Sequence, residues 1–188
     1  MSGKGSWPLI LRIGEIELRP LRLRDRREWL DVRRRNREWL SRWEATSPLI
    51  EEAKNPPTYV EMVAFHNKEA RAGRSLSFAI WVHGNLAGQI TLGGIAYGAY
   101  RGGHIGYWID QGHANQGITT RAVLEVTRFA FEELHLHRLE IALRPENGAS
   151  KRVAEKAGYT FEGIRSRYLH IDGDWRDHIV FVKENPRI

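Results

Sequence analysis

From Gly117 to about Leu134 apolar side chains recur at helical spacing, with Val123/Leu124, Val126/Thr127, Ala130/Phe131 and Leu134 on one face and charged residues between them. Such a stripe demands a partner surface. β-rich runs flank it, His104–Ile109 before and Arg138–Leu143 after. A long amphipathic helix set between strands predicts an α/β (α+β) fold in which helices cover both faces of a mixed sheet. At 188 residues the chain is one domain by length, able to bury roughly 70% of its unfolded surface without disulfides or metals.

The remaining elements complete the sheet. Glu15 to Leu23 alternates apolar and polar residues as a short edge strand that Pro20 ends or bulges, after a flexible tail over residues 1–10. Asp25 can cap a helix in which Trp29/Leu30, Val32, Asn36, Leu40 and Trp43 follow a 3.6-residue period, with Arg26, Arg27, Arg34, Arg35 and Arg37 outside. Asn55-Pro56-Pro57-Thr58 breaks the chain and opens a second helix that runs to Gly73. Leu76–Val82 and Leu86–Ile95 form a hairpin around His83-Gly84-Asn85, and Ala149–Lys156 is a short helix. Thr160–Ile171 pairs with Trp175–Val182 across Asp172-Gly173, a favoured pair for a type I′ turn. The order β-α-α-β-β-β-α-β-α-β-β gives about seven strands.

Composition narrows the chemistry. The absence of cysteine excludes disulfides, a thiol nucleophile and thiolate-bound metal or iron–sulfur centres, and suits a reducing cytoplasm. His135 and His137 complement the end of the long helix, and no metal site is expected from them. No apolar stretch approaches the ~18 residues of a membrane helix, and residues 1–8 lack the apolar core of a signal peptide. The chain therefore reads as soluble and unexported. Of a net charge of +6, residues 1–44 carry 12 basic against 7 acidic side chains. Local basicity of this kind marks either contact with an anionic partner or an arginine-rich solvated helix face.

Polar chemistry concentrates where the 104–109 strand meets the long helix. Gly106, in the middle of that strand, suggests a bulge or a place where something approaches the backbone. Asp110 to Gln116 is rich in small and turn-forming residues. Unpaired N–H groups at the helix start, with the positive end of the helix dipole, make an anion site suited to a phosphate, and Gly117 lets an oxygen come close to the main chain. Polar strand-to-helix connections are common, so the loop alone decides nothing.

Further residues change that. Asn147-Gly148-Ala149-Ser150, Glu155-Lys156-Ala157-Gly158-Tyr159 and Glu162-Gly163, taken with Gly106-Tyr107-Trp108-Ile109 and Gln116-Gly117-Ile118, resemble the Gcn5-related N-acetyltransferase (GNAT) superfamily over nearly the whole chain. Leu18-Arg19-Pro20 and the stretch Tyr168–His178 resemble its RimJ/RimL branch, the ribosomal-protein N-terminal acetyltransferases. The resemblance implies one GNAT domain over residues 1–188, with a mostly antiparallel sheet whose central parallel strands, 104–109 and 138–143, splay apart to hold acetyl-CoA. Its pyrophosphate is then expected on the amides of Asn115, Gln116, Gly117, Ile118, Thr119 and Thr120, its pantetheine along Tyr107, Trp108 and Ile109, and its arm on Asn147. The family's loop pattern is absent at Ala114 and Thr119, and Asn115 or Arg121 is expected to compensate.

Such a reaction needs an unprotonated amine, a polarised thioester carbonyl and a stabilised leaving thiolate. An α-amino group, with a pKa near ~8, needs less help than a lysine near ~10.4, which favours a protein N-terminus as acceptor. A backbone N–H at Gly106 or Tyr107 is expected to polarise the carbonyl. Many superfamily members carry a tyrosine acid where this chain has Ala154; Ser150, the branch's alternative, is expected to hydrogen-bond the departing sulfur, or to cap its helix, or both. RimL-like enzymes place a glutamate base where this chain has Leu169. His104, standing where RimL has another glutamate, is the first candidate base, and Glu140 on the neighbouring strand the second. Arg35, Asn36, Trp39, Tyr168, Asp172 and Trp175 are candidate acceptor contacts, because the superfamily's first two helices and last hairpin line that side of the cleft.

The expected protein is thus a cytoplasmic, acetyl-CoA-dependent enzyme acetylating the N-terminus of a protein, a ribosomal protein first of all, as a monomer or homodimer without metal, membrane or direct DNA contact. One alternative acceptor is a small amine such as an antibiotic or polyamine, although the basic front end would repel a polycation. Another reading is an RNA- or ribosome-binding module with a vestigial cofactor site, which the lack of a basic–aromatic sheet signature opposes. The basic front end falls on the acceptor side, where its expected task is steering toward an anionic assembly.

Overall fold

The computed structural model describes residues 7–188, apart from the side chains of residues 52 and 53. Its strands are β1 (Leu11–Ile13), β2 (Ile16–Arg19), β3 (Leu76–Val82), β4 (Asn85–Ala96), β5 (Gly102–Ile109), β6 (Arg138–Leu143), β7 (Thr160–Ile171) and β8 (Asp174–Glu184). The helices are α1 (Arg26–Arg35), α2 (Arg37–Ser41), α3 (Ile50–Lys54), α4 (Tyr59–Arg71), α5 (Ile118–Glu132) and α6 (Gly148–Lys156). All strands join one eight-stranded sheet in the order β1-β2-β3-β4-β5-β6-β8-β7. Every neighbouring pair is antiparallel except β5 and β6. The mixed, mostly antiparallel sheet expected from the sequence is the architecture of the protein.

Two cores lie on opposite faces. Phe78, Ile80, Ile105, Leu139 and Ile141 pack beneath α5 and α6, while Ala79 and Trp81 meet Val32 of α1 and Tyr59 and Val63 of α4. Because side chains alternate along a strand, Ile105, Tyr107 and Ile109 of β5 turn to the α5 side and His104, Gly106 and Trp108 to the α1 side. All seven residues of β3 are buried, as a strand covered on both faces requires. On α5 the fully buried stripe is Ala122, Val123, Val126 and Ala130, and Leu124, expected on the apolar face, is 42% exposed. Both hairpins form as expected, with His83 and Gly84, and Asp172 and Gly173, all at positive φ in their two-residue turns.

Three features depart from the sequence reading. The front strand is a hairpin, β1 and β2, turning at Gly14 with φ 59, because Leu11 and Ile13 are apolar enough to pair with Leu18 and Ile16. Pro20, lacking an N–H, follows its last residue. The front helix breaks at Asn36, whose side-chain amide donates to Val32 O at 2.8 Å and competes with the regular ladder. The short helix α3 precedes the Asn55 breaker and was not expected. Of the tail over residues 1–10, residues 1–6 lie outside the described ones, and Trp7 and Leu9 pack against the main core. Among the described residues, no helix is long and apolar enough to cross a membrane.

Candidate active site

The parallel ladder between β5 and β6 is three pairs long, ending at His104↔Glu140. Beyond that point β5 continues along β4 to Ile109, while β6 follows β8 to Leu143. The two strands part there and leave the edge of residues 105–109 free. A cleft of about 430 Å³ occupies the split. Tyr107, Trp108 and Ile109 form one wall; Asn115 and Gly117 to Thr120 close one end; Asn147 to Ser150 with Arg152, Val153 and Lys156 form the opposite wall; α2 and its exit, from Trp39 to Glu44, complete it.

The end at α5 is built for an anion. Asn115 (φ 60) and Gly117 (φ 75) both adopt left-handed backbone, which swings the chain from the β5 exit into a fresh helix start. The first amides of α5, Ile118 to Thr120, have no intrahelical acceptor and line the cleft. Both acids of the cleft are neutralised, Glu44 by Arg33 and Glu146 by Arg144 at 3.3 Å. Arg42, Arg152 and Lys156 line it without a carboxylate partner among the described residues. A free strand edge beside unpaired amides and cations can take an extended, amide-bearing arm that ends in phosphates.

Near the middle of the cleft the Tyr107 hydroxyl lies 2.8 Å from Ser150 Oγ. Asn147 is the cap of α6, its Oδ1 accepting from Ser150 N at 3.0 Å, so the Ser150 hydroxyl is left free of that duty. Burial pushes the Tyr107 pKa up to about 12, which keeps the phenol protonated. On the α1 face, at the apex of the split, the His104 ring lies over two glycines: a Cβ on Gly93 would fall 2.8 Å from its Nε2, and one on Gly94 2.8 Å from its Nδ1. Desolvation lowers the His104 pKa from 6.5, with the Glu140 charge opposing, so the imidazole is neutral near pH 7. A Cβ on Gly106 would meet nothing within 4 Å, and the ladder passes Thr91↔Gly106 without a bulge. Open space lies over that backbone.

Residues 15–160 match the acetyltransferase (GNAT) domain family. The chain belongs to this family. It is 32% identical over 173 residues to the probable N-acetyltransferase YjcK of Bacillus subtilis, covering 91% of this chain and 94% of that protein. It is 26% identical to the ribosomal protein uS5-alanine N-acetyltransferase of Escherichia coli, over 86% of this chain and 84% of that one. Mycobacterium smegmatis RimJ, solved in complex with CoA-disulfide, superposes with a TM-score of 0.87 at 33% identity, covering 97% of this chain and 90% of RimJ.

The cleft of this GNAT acetyltransferase gathers Tyr107, Trp108, Ile109, Asn115, Gly117, Ile118, Thr119, Thr120, Asn147 and Ser150, all named from the sequence. Gln116 stays outside it, with Nε2 donating to Gly112 O at 2.9 Å. Arg121 does not compensate for Ala114, because it holds Glu15 at 2.6 Å and Ile13 O at 2.8 Å against the β1–β2 hairpin. Glu140, 8% exposed, accepts from Arg138 at 3.1 Å and Arg165 at 2.6 Å and has no free oxygen to act as a base. Of the acceptor candidates, Trp39 lines the cleft and donates to Ile109 O at 3.1 Å. Arg35 and Asn36 instead bind Asp110, and Asn36 is 1% exposed, so it is closed to a peptide. Tyr168 stacks edge-on against His178, Trp175 against His170, and Asp172 sits in the tight turn, all outside the cleft. An Ala45↔Ile171 bridge and a 2.8 Å bond from Thr46 N to His170 O still join that hairpin to the exit of α2. Sequence reasoning missed Arg42, Arg152 and Lys156; the i, i+4 spacing of the last two on α6, in step with Ser150 and Val153, was the available signal. Among the described residues, no three His, Asp or Glu side chains group as metal ligands.

Proposed function

We propose that this GNAT protein transfers an acetyl group from acetyl-CoA to the α-amino group of a protein N-terminus, with a ribosomal protein as the favoured acceptor. The observation carrying it is the split between β5 and β6, which is open to a polyanionic arm on the α5 side and leaves His104 and the bare Gly106 backbone on the α1 side. Two reactants can meet there from opposite faces. The uS5-alanine acetyltransferase relative and the RimJ structure support the acceptor and cofactor assignments. Amides 118–120 with Arg152 and Lys156 hold the phosphates, and the free edge of β5 holds the pantetheine.

Acetyl-CoA, when bound, supplies an activated thioester carbonyl and a thiolate leaving group. The amine nitrogen forms a bond to the carbonyl carbon and the carbon–sulfur bond breaks. His104, neutral at pH 7, removes a proton from the amine, directly or through one water. A β5 backbone N–H at Gly106 or Tyr107 stabilises the developing oxyanion, a contribution of about 3 kcal/mol. Ser150 donates its hydroxyl proton to the sulfur and regains one from Tyr107, which the solvent reprotonates. The basic face of α1 steers the enzyme toward an anionic assembly such as a ribosome.

Thiol release from acetyl-CoA, measured with peptides that differ only in a free or blocked N-terminus, tests the assignment. Turnover is expected only with the free amine. Equal rates with both would defeat the N-terminal acceptor.

A further inference from the structure

Asp110, 4% exposed, follows the last residue of β5 with a carboxylate that four donors surround. Oδ1 accepts from Asn36 Nδ2 at 2.6 Å and Arg35 Nε at 3.2 Å; Oδ2 accepts from Arg35 Nη2 at 2.8 Å and lies 2.9 Å from His113 Nδ1. Burial opposes the charge, and the donors outweigh it, holding the carboxyl well below the usual range. A second contact crosses the same gap: Asn36 Oδ1 accepts from Gln111 N at 2.8 Å. Asn36 thus grips both the residue that follows the strand and the first residue of the turn that leads to Asn115 and Gly117.

The other end of this network is the break between α1 and α2. Three residues past Asn36, Trp39 binds Ile109 O at 3.1 Å, and Trp39 and Leu40 line the cleft. The break, the β5 exit and the anion-binding loop are therefore one hydrogen-bonded body. Removing the charge would leave Arg35 without its counter-ion and one of the four donors without an acceptor, and so loosen the turn from the helix break.

Resting on the reading of the cleft as a CoA site, we propose that Asp110 is a positioning residue, clamped by Arg35 and Asn36, which fixes the phosphate loop and the α2 wall together. Filling the loop then orders the wall, and the affinities for cofactor and acceptor are coupled. The front helix serves the cofactor as well as the acceptor.

Calorimetric titration of CoA into the full chain, with steady-state kinetics and thermal midpoints, tests this on Asp110→Asn, Asn36→Ala and the double variant Arg35→Gln/Asp110→Asn. Asp110→Asn and Asn36→Ala are expected to weaken CoA binding by roughly tenfold and to raise the acceptor KM, with kcat at saturation changed by less than about threefold. The double variant, with a neutral amide pair in place of the ion pair, is expected to regain most of the affinity. Should Asp110→Asn fail to fold, Asn36→Ala and the half-exposed Arg35→Gln carry the same test. CoA affinity within about twofold of the parent while the thermal midpoint falls would reduce the network to scaffolding. Failure of the parent chain to take up CoA would overturn the cofactor reading itself, whereas normal uptake by both variants would overturn only the role of Asp110.

Discussion

Tyr107 Oη and Ser150 Oγ lie 2.8 Å apart across the split of the sheet, the first on β5 and the second in the opening turn of α6. The pair places a protonated phenol behind the hydroxyl proposed to meet the leaving sulfur. Ser150→Ala is expected to lower kcat by about 10²-fold and Tyr107→Phe by about tenfold, while CoA affinity measured by calorimetry stays within about twofold. A Tyr107→Phe enzyme with unchanged kcat would remove the phenol from the proton path.

His104 should set the acid limb of the rate profile. Its pKa is lowered from 6.5 by desolvation, so the base remains available at pH 7, and kcat/KM falls only below the ordinary histidine range. His104→Gln is expected to lose about 10²-fold in kcat and to flatten that limb. An unchanged pH profile in the variant would transfer the base to water alone.

Stability should report the desolvated histidines. Desolvation lowers the pKa of His66, His104 and His178 alike. Folding therefore favours their neutral forms: the contribution is complete above the unfolded value near ~6.5 and is lost as pH falls through the lower folded values. The urea midpoint is expected to decline between about pH 7 and 5, less steeply in His178→Gln, whose parent side chain is in a residue 2% exposed. A midpoint independent of pH in that window would contradict the assignment.

Gly106 tests where the acceptor passes. Open space surrounds its Cα and its φ is not in the left-handed region, so Gly106→Val should fold with a thermal midpoint near that of the parent. The added side chain would stand on the acceptor side, raising the peptide KM by about tenfold or more and leaving CoA affinity intact. Loss of CoA affinity instead would place the acceptor path elsewhere.

How much of this was legible in the sequence differs between element and contact. The long helix, both tight-turn hairpins and the loop around Gly117 follow from local spacing and turn chemistry, and the structure has them where the residues place them. The family resemblance then gathered ten residues of one cleft. Partnerships across the fold were not legible. Arg35 and Asn36 read as acceptor contacts because Asp110, their partner, is 75 and 74 positions away. Glu140 read as a base because the arginine from β7 that shares it, Arg165, lies on a later hairpin. The basic front end is also narrower than its composition: Arg33, Arg34 and Arg35 are paired with Glu44, Asp31 and Asp110, which leaves Arg26, Arg27 and Arg37 as the outward cations of α1 and α2 without an ion pair among the described residues.

The central claim is that the acetyl group goes to an α-amine, and its position on the product decides it. A peptide bearing both a free N-terminus and an internal lysine, treated with the enzyme and acetyl-CoA and sequenced by tandem mass spectrometry, should carry the label on the N-terminal residue alone. Acetyl-lysine with an unmodified N-terminus would contradict the account.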